Sequence, residues 1–370
     1  MPSPSGSPTS YDVSSPWPER GGKPVAGASS RDVGSPPVDE LQIGVVDPRD
    51  EAALRSWWEV GRDASAERPL EAWPVWEVSR RLLPVPRTDG RMVLLEAVQG
   101  GRVVGSARLW FFRHDNTHLV EAGIWVVPQA RRRGIGRALL AEVEARTRAD
   151  GRTSVIGSAF APVGAQSPGS CFAEALGYPV GSHEETKVVD LKTAVGGWGA
   201  LEDEVAAALG DYRVEVFEER LPEAYVGGFC ALLSAFLGEV PVGDLDLREA
   251  AWTPSRLREN EERAVATGRC LVIAVAVAPD GGLVGFSDAQ VHRADPRHAA
   301  VGGTMVLPGH RGHRLGLAMK LLTHRRVAEL FPECGYVETG NAGVNAPMNT
   351  VNQRMGYRVV ERCLDVQKQL

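Results

Sequence analysis

The spacing of apolar positions divides most of the chain into short elements. LQIGVVD, residues 41–47, alternates like a strand, and EAALRSWWEVGRDA after it carries its apolar residues at helical spacing. MVLLEAV and VVGSARLWFF read as two strands joined by the turn QGGR. HLVEAGIWVV is a further β-branched run, and Ile135, Leu139 and Leu140 then recur at helical spacing. Between this strand and this helix stands a polar segment with four arginines and two glycines, Arg131 to Arg137. A helix start there exposes unpaired amides beside basic side chains.

The pattern occurs twice. VVGSARLWFFR ends at Arg113 and LVGFSDAQVHR at Arg293, while VVPQARRRGIG begins at Val126 and VLPGHRGHRLG at Val306; both pairs are offset by 180 residues. FAEALGY and VNQRMGY, ending at Tyr178 and Tyr357, are offset by 179. Three segments in one register predict one fold repeated, over residues 41–192 and 211–370, with a linker at 193–210 that is part glycine-rich and part short helix. Residues 1–40 are dominated by Pro, Ser and Gly. They hold too little apolar surface to offset ordering and are expected to form a disordered tail.

Composition narrows the function classes. A chain of 370 residues that is 43% hydrophobic and 24% charged has the make-up of a soluble protein with room for two domains. Its net charge of -6 argues against coating nucleic acid and leaves room for a local basic pocket. The five cysteines form no CxxC motif and no Cys/His cluster, which predicts free thiols in a reducing compartment and no metal site. No apolar run is long enough to cross a bilayer and the N-terminus lacks the apolar block of a secretory signal, so the expected location is the cytoplasm, away from membranes.

The order strand, helix, hairpin, strand, basic glycine turn, helix, strand, helix ending in Gly-Tyr resembles the Gcn5-related N-acetyltransferase (GNAT) superfamily, in both halves. TGNAGVNAPMNTVNQRMGY is similar to the second half of tandem acetyltransferases common in actinobacteria. The resemblance implies a mixed α/β (α+β) sheet in two tandem acetyltransferase folds, with acetyl-CoA as co-substrate and no metal. In the family's turn, Arg/Gln-x-x-Gly-x-Gly/Ala, Arg131, Gly134 and Gly136 match. Amides at the helix start face the pyrophosphate of coenzyme A, and the macrodipole favours the anion. Arg132, Arg133 and Arg137 add charge for the phosphates, with Val126, Val127 and Ile135 completing the strand end and helix start. In the second half, Arg311, Gly312 and Gly316 are in register, flanked by Val306, Leu307, His313 and Leu315. There Arg314 replaces the first glycine, and the nest of amides is expected to survive if that residue stays right-handed helical.

The family also carries an asparagine that holds the pantetheine arm and a tyrosine that protonates the departing thiolate. Asn345 matches the arm-binding position, with Asn341 just before it. Asn352 and Ala173 stand at the tyrosine position, so neither half has the usual acid. A bulge that splays strand four exposes an amide to the thioester carbonyl. An alkylammonium must lose a proton before it attacks. Glu121, on strand four of the first half, is the candidate base; the aligned residue in the second half is Val301, which leaves Thr304, His298 or Asp288 to relay the proton, Thr304 foremost. The segment Gly243–Glu262 either lines the second half's pocket or forms a solvated helix pair.

The resulting expectation is an N-acetyltransferase moving acetyl from acetyl-CoA to a primary amine of a small molecule, such as a secondary-metabolite or antibiotic-related amine. Non-catalytic CoA binding in a regulatory or scaffold role and acetylation of a protein or peptide are the alternatives. The second half is favoured as the catalytic one, with the first kept for CoA binding or packing. Nucleic acid and membrane are not expected partners, and a homodimer is left open.

Overall fold

The computed structural model describes residues 40–70 and 73–370; the expectation of a disordered tail over 1–40 otherwise lies outside the described residues. Among the described residues the chain forms β1 (Gln42–Val46), α1 (Glu51–Ser65), α2 (Trp76–Leu82), β2 (Gly90–Gln99), β3 (Arg102–Phe112), β4 (Leu119–Val126), α3 (Ile135–Ala149), β5 (Ser154–Ala161), α4 (Pro168–Ala175) and β6 (Val180–Asp190). Two short helices, α5 (Leu191–Ala194) and α6 (Gly199–Ala208), follow. The series then repeats as β7 (Arg213–Glu218), α7 (Glu223–Ala235), α8 (Pro254–Ala266), β8 (Arg269–Val277), β9 (Leu283–His292), β10 (Asp295–Val306), α9 (Leu315–Leu330), β11 (Tyr336–Ala342), α10 (Ala346–Arg354) and β12 (Arg358–Gln369). Helix starts are fixed locally: Asp50 accepts from the amides of Ala52 and Ala53, Ser167 caps α4, and Thr253 caps α8 just before a proline.

All twelve strands belong to one sheet, in the order β1-β2-β3-β4-β5-β12-β6-β11-β10-β9-β8-β7. The two halves therefore exchange their last strands. β12, from the end of the second half, pairs with β5 of the first, and β6, from the first half, pairs with β11 of the second. β12 and β6 also pair with each other across the centre. Only β4 with β5 and β10 with β11 run parallel. An exchange of this kind closes what would otherwise be two free sheet edges.

Each face of the sheet carries its own helices. Leu95, Leu109 and Val120 pack under α3 and α4, and Ala289, Val291 and Val337 under α9 and α6. The alternate residues face the other way. Leu94 and Val46 meet α1 and α2, and Ile273, Phe286 and Met305 meet α7 and α8. α6, inside the expected linker, is bound to the second half: Trp198 donates to the carbonyl of Met355 at 3.1 Å, and Glu202 pairs with Arg325.

Candidate active site

Both halves end strand four in a turn of one shape. A single 3-10 turn follows Val126 or Val306, and the helix begins at a buried apolar residue, Ile135 or Leu315. Val127 and Leu307 donate their amides back to Val104 and Val284. Arg131 and Arg311 turn inward. Each donates through Nε to the carbonyl ending strand four, at 3.3 and 3.0 Å, and each meets a glutamate beyond the half's first helix, Glu67 at 3.0 Å and Glu239 at 2.5 Å. These guanidiniums brace the turn, so any anion there meets backbone and the remaining basic residues.

The turn alternates left-handed residues, which aims successive amides to one side. Arg132 and Gly134 have φ of 64° and 86°, and Gly312 and Arg314 have 95° and 57°. The backbone shape is conserved while the glycine changes place. The condition set on Arg314, a right-handed backbone, does not hold: the residue is left-handed, a conformation costing a non-glycine residue about 1–2 kcal/mol. Among the described residues the amides of 132–137 and of 312–317 make no hydrogen bond to protein, which leaves a row of donors at each helix start.

The charge around the two rows differs. Arg132, Arg133 and Arg137 are exposed, and no carboxylate of the described residues pairs with them. In the second half Arg314 donates to Glu204 of α6 at 2.7 Å, Glu204 also accepts from Arg354 at 3.0 Å, and His313 lies 4.7 Å from the Tyr212 ring.

Beside each turn the sheet opens. β4 pairs with β5 only up to Glu121 opposite Ile156, and β10 with β11 only up to Ala300 opposite Glu338. Beyond those pairs the strands no longer pair as they run toward the glycine turn, which leaves a wedge between them. In the second half alone strand four carries a bulge there, between Val301 and Gly303. No register shift interrupts β3 and β4. The extra residue, Gly302, moves the alignment: the residue that pairs with Gln290 as Glu121 pairs with Trp110 is Ala300, not Val301.

On the α1/α2 side of the first half, Trp57, Trp73 and Trp125 pack with ring centroids 4.9–5.9 Å apart. Trp125 lies over Gly123, where an added Cβ would be 2.4 Å from the ring. Glu121 is held by Arg108 at 2.9 Å. In the second half the equivalent of Arg108 is Asp288, half-buried on the α7/α8 side. A Cβ on residue 302 would lie 2.1 Å from its carboxylate, so only glycine fits the bulge. Burial pushes the Asp288 carboxyl up to about 6, against the pull of the Gly303 amide and Arg269. Phe236 and Phe286 flank the same spot, 3.1 and 3.3 Å from where a Gly303 Cβ would be.

The description "Acetyltransferase (GNAT) family" fits residues 53–162, in the first half. A tandem GNAT protein from the clavulanic acid biosynthesis pathway is 27% identical, with a TM-score of 0.74 over 89% of this chain and 98% of its own. The first half thus matches the GNAT family, and the whole chain has a tandem GNAT fold. Two more distant structures share the fold: a GCN5-related N-acetyltransferase from Sphaerobacter thermophilus (16% identity, TM-score 0.60, 89% of this chain and 95% of that one) and Saccharomyces cerevisiae N-myristoyltransferase with bound myristoyl-CoA (12%, 0.55, 91% and 80%). No curated protein matches the chain in sequence.

The remaining candidate residues of this GNAT pair fall in distinct places. Thr304 faces α9, away from Asp288, and its hydroxyl is 2.8 Å from that of buried Ser287. His298 sits at the closed end of the β10/β11 ladder, stacked 5.5 Å from Tyr336. Asn345 caps α10, accepting from the Met348 amide at 3.3 Å; Ser167 does the same for α4. Asn341 is buried: it accepts from Lys187 (2.9 Å) and Asn352 (3.0 Å) and donates to Asn349 (2.7 Å). Lys187 comes from exchanged β6, so this network fastens the first half's strand into the second. Of the segment Gly243–Glu262, the first part is a loop that reaches β6 and β12, with Asp244 donating to Gly181 and Asp246 to Gln367, and the rest is the start of α8. Free thiols are found as expected, with Cys230, Cys270 and Cys334 buried. Among the described residues no His/Cys/Asp/Glu group is arranged to hold a metal, and no helix is long and apolar enough to cross a membrane.

The sequence reading passed over the Gly302 bulge, although a Gly-Gly pair inside a strand pattern, VGGTMV, signals one. Glu204 and Lys187 carry no such signal, because Glu204 meets Arg314 and Lys187 meets Asn341, 110 and 154 residues away in sequence.

Proposed function

We propose that the chain is an N-acetyltransferase that moves acetyl from acetyl-CoA to a primary amine of a small molecule, with the chemistry in the second half. The observation that carries the reading is the β10/β11 wedge, bulged at Gly302 and ending at a helix start with six unpaired amides. Amides 312–317 would receive the pyrophosphate, and the divergent strands the pantetheine arm, parallel to β10. Past Ala300 the edge of β10 no longer pairs with β11, and a thioester carbonyl lying along it would be polarised by strand amides. Without a tyrosine acid at Asn352, protonation of the thiolate falls to water.

A second reading applies to the first half, in which CoA is held but no acceptor is processed. The tryptophans over Gly123 and the Arg108–Glu121 pair favour it, since both occupy the space an acceptor would need. The pathway of the 27% identical relative makes a secondary-metabolite amine the first class to try. Thiol release from acetyl-CoA by the full chain, across a panel of amines, tests the proposal. Acceptor-independent binding of CoA, with no thiol released for any amine, would leave only the non-catalytic role.

A further inference from the structure

Resting on the second half as the catalytic one, we infer that Asp288 takes the proton of the acceptor's ammonium, and that the acceptor carries a single ammonium on an aromatic or alkyl body. Three features place Asp288 there. It pairs in register with Gly303, directly beyond the bulge that opens the wedge. Its carboxylate fills the space vacated by the missing side chain of Gly302, and it faces the side of the sheet covered by α7 and α8. That side is apolar around it: Phe229, Phe236, Phe286 and Trp252 belong to one cluster.

The charged groups nearby are few and mostly engaged. Arg269 on β8 is hydrogen-bonded to Gln290 and to Asn260 of α8. Arg263, also on α8, lies next to Arg269 and Arg87. Glu338 on β11 shares the face beyond Ala300 and lies near Arg68 and Glu361. Glu239, beyond α7, is held by Arg311. One carboxylate in an apolar surround suits one ammonium, and a polycationic amino sugar would bury further charges without partners.

Asp288 accepts one proton from R-NH3+, and the freed lone pair attacks the thioester carbon. A C–N bond forms and the C–S bond breaks. The second amine proton leaves through water to the CoA thiolate, giving the amide and CoASH, and Asp288 returns its proton to solvent.

The test uses the full chain with acetyl-CoA and phenethylamine or kanamycin, from pH 5 to 9. For the native chain, turnover of phenethylamine is expected to exceed that of kanamycin at least about tenfold and to rise through a limb near pH 6 to a plateau. Asp288→Asn should lower kcat by about 100-fold or more and abolish the limb, the residual rate climbing with the fraction of free amine. Its CoA affinity, measured by calorimetry, should stay within about twofold. Asp288→Ala should recover turnover with added formate, a rescue that a purely structural aspartate would not give. Turnover of Asp288→Asn near the native rate with the limb retained overturns the proton role, and preference for kanamycin overturns the acceptor class. Native chain that releases no thiol with any amine overturns the proposed function itself, and this inference with it.

Discussion

The two halves share a backbone and differ in the charge and packing around it. In the first, Arg132, Arg133 and Arg137 stand free around the phosphate turn, and three tryptophans close the face where an acceptor would lie. In the second, the turn's arginines are held by Glu204 and Glu239, and the face is opened by a bulge over one carboxylate. Unpaired basic charge is thus concentrated at the turn of one half, and the strand bulge is confined to the other. Duplication permits this, because either half can lose one component while the other keeps it. The exchanged strands then prevent the halves from separating.

The sharpest way to break the comparison is to fill the bulge. Gly302→Val would drive two methyl groups into the Asp288 carboxylate and displace it from the wedge. Misplacing a reacting group by about 1 Å costs on the order of a hundredfold, so turnover should fall at least that far, with the circular dichroism spectrum unchanged. Gly123→Ala in the first half should leave turnover within about threefold, since it only presses on the Trp125 ring. Comparable losses in both would mean that both faces are catalytic.

A second difference lies under the helices that follow the turns. Leu140 of α3 and Lys320 of α9 occupy equivalent places, and Lys320 is wholly buried with no hydrogen-bond partner for Nζ among the described residues. Its ammonium lies 4.9 Å over the Tyr357 ring. Burial first, then the neighbouring Lys187, lowers its pKa to about 7. A lysine lowered from 10.5 destabilises the fold wherever the unfolded chain binds the proton, so the penalty is full below about pH 7 and fades as pH rises toward 10.5. Lys320→Leu should therefore stabilise the protein by about 4 kcal/mol at pH 7 and by less than about 1 kcal/mol at pH 10, read from urea unfolding at the two pH values. An equal gain at both would point to packing in place of charge.

Much of this architecture was legible because it is local. The strands, the helices and the 180-residue repeat follow from periodicity within short windows, and the glycine turns from residue types that only helix starts and anions require. The strand exchange was not legible. Whether β12 pairs with β5 or β11 depends on contacts about 200 residues apart, and alternation is the same in either partner. The conformation of Arg314 was not legible for a related reason: the turn's shape is imposed by the strand and helix it joins, and a residue of ordinary preference yields to them. Glu121 was read as a base from its position alone, while its ion pair with Arg108 depends on the register of two strands.

The two glycine turns differ in where the glycine stands, at Gly134 in one and at Gly312 in the other. Gly134→Asp places a side chain at φ 86° and a carboxylate among six free amides, and should weaken CoA binding in the first half by about 2 kcal/mol or more through strain and repulsion. Calorimetry on the full chain should then lose one binding event and retain the other. If both persist unchanged, the first turn is not a CoA site.

The smallest effect is expected where the two turns differ by one residue. Arg314→Gly restores the glycine that the first half has at Gly134 and removes a left-handed non-glycine residue, worth about 1–2 kcal/mol. Against this stands the loss of the Arg314–Glu204 pair, half-exposed and worth about 0–1 kcal/mol. Glycine also widens the unfolded ensemble, which takes back a few tenths more. The net should be a gain of about 0.5 kcal/mol, read as a rise of about 0.6 °C in Tm for a chain of this size. The sign is the informative part. A loss would mean that Glu204 contributes more than a surface pair usually does, and that α6, through Arg314 and Arg354, is what holds the second turn in the shape the first reaches with glycine alone.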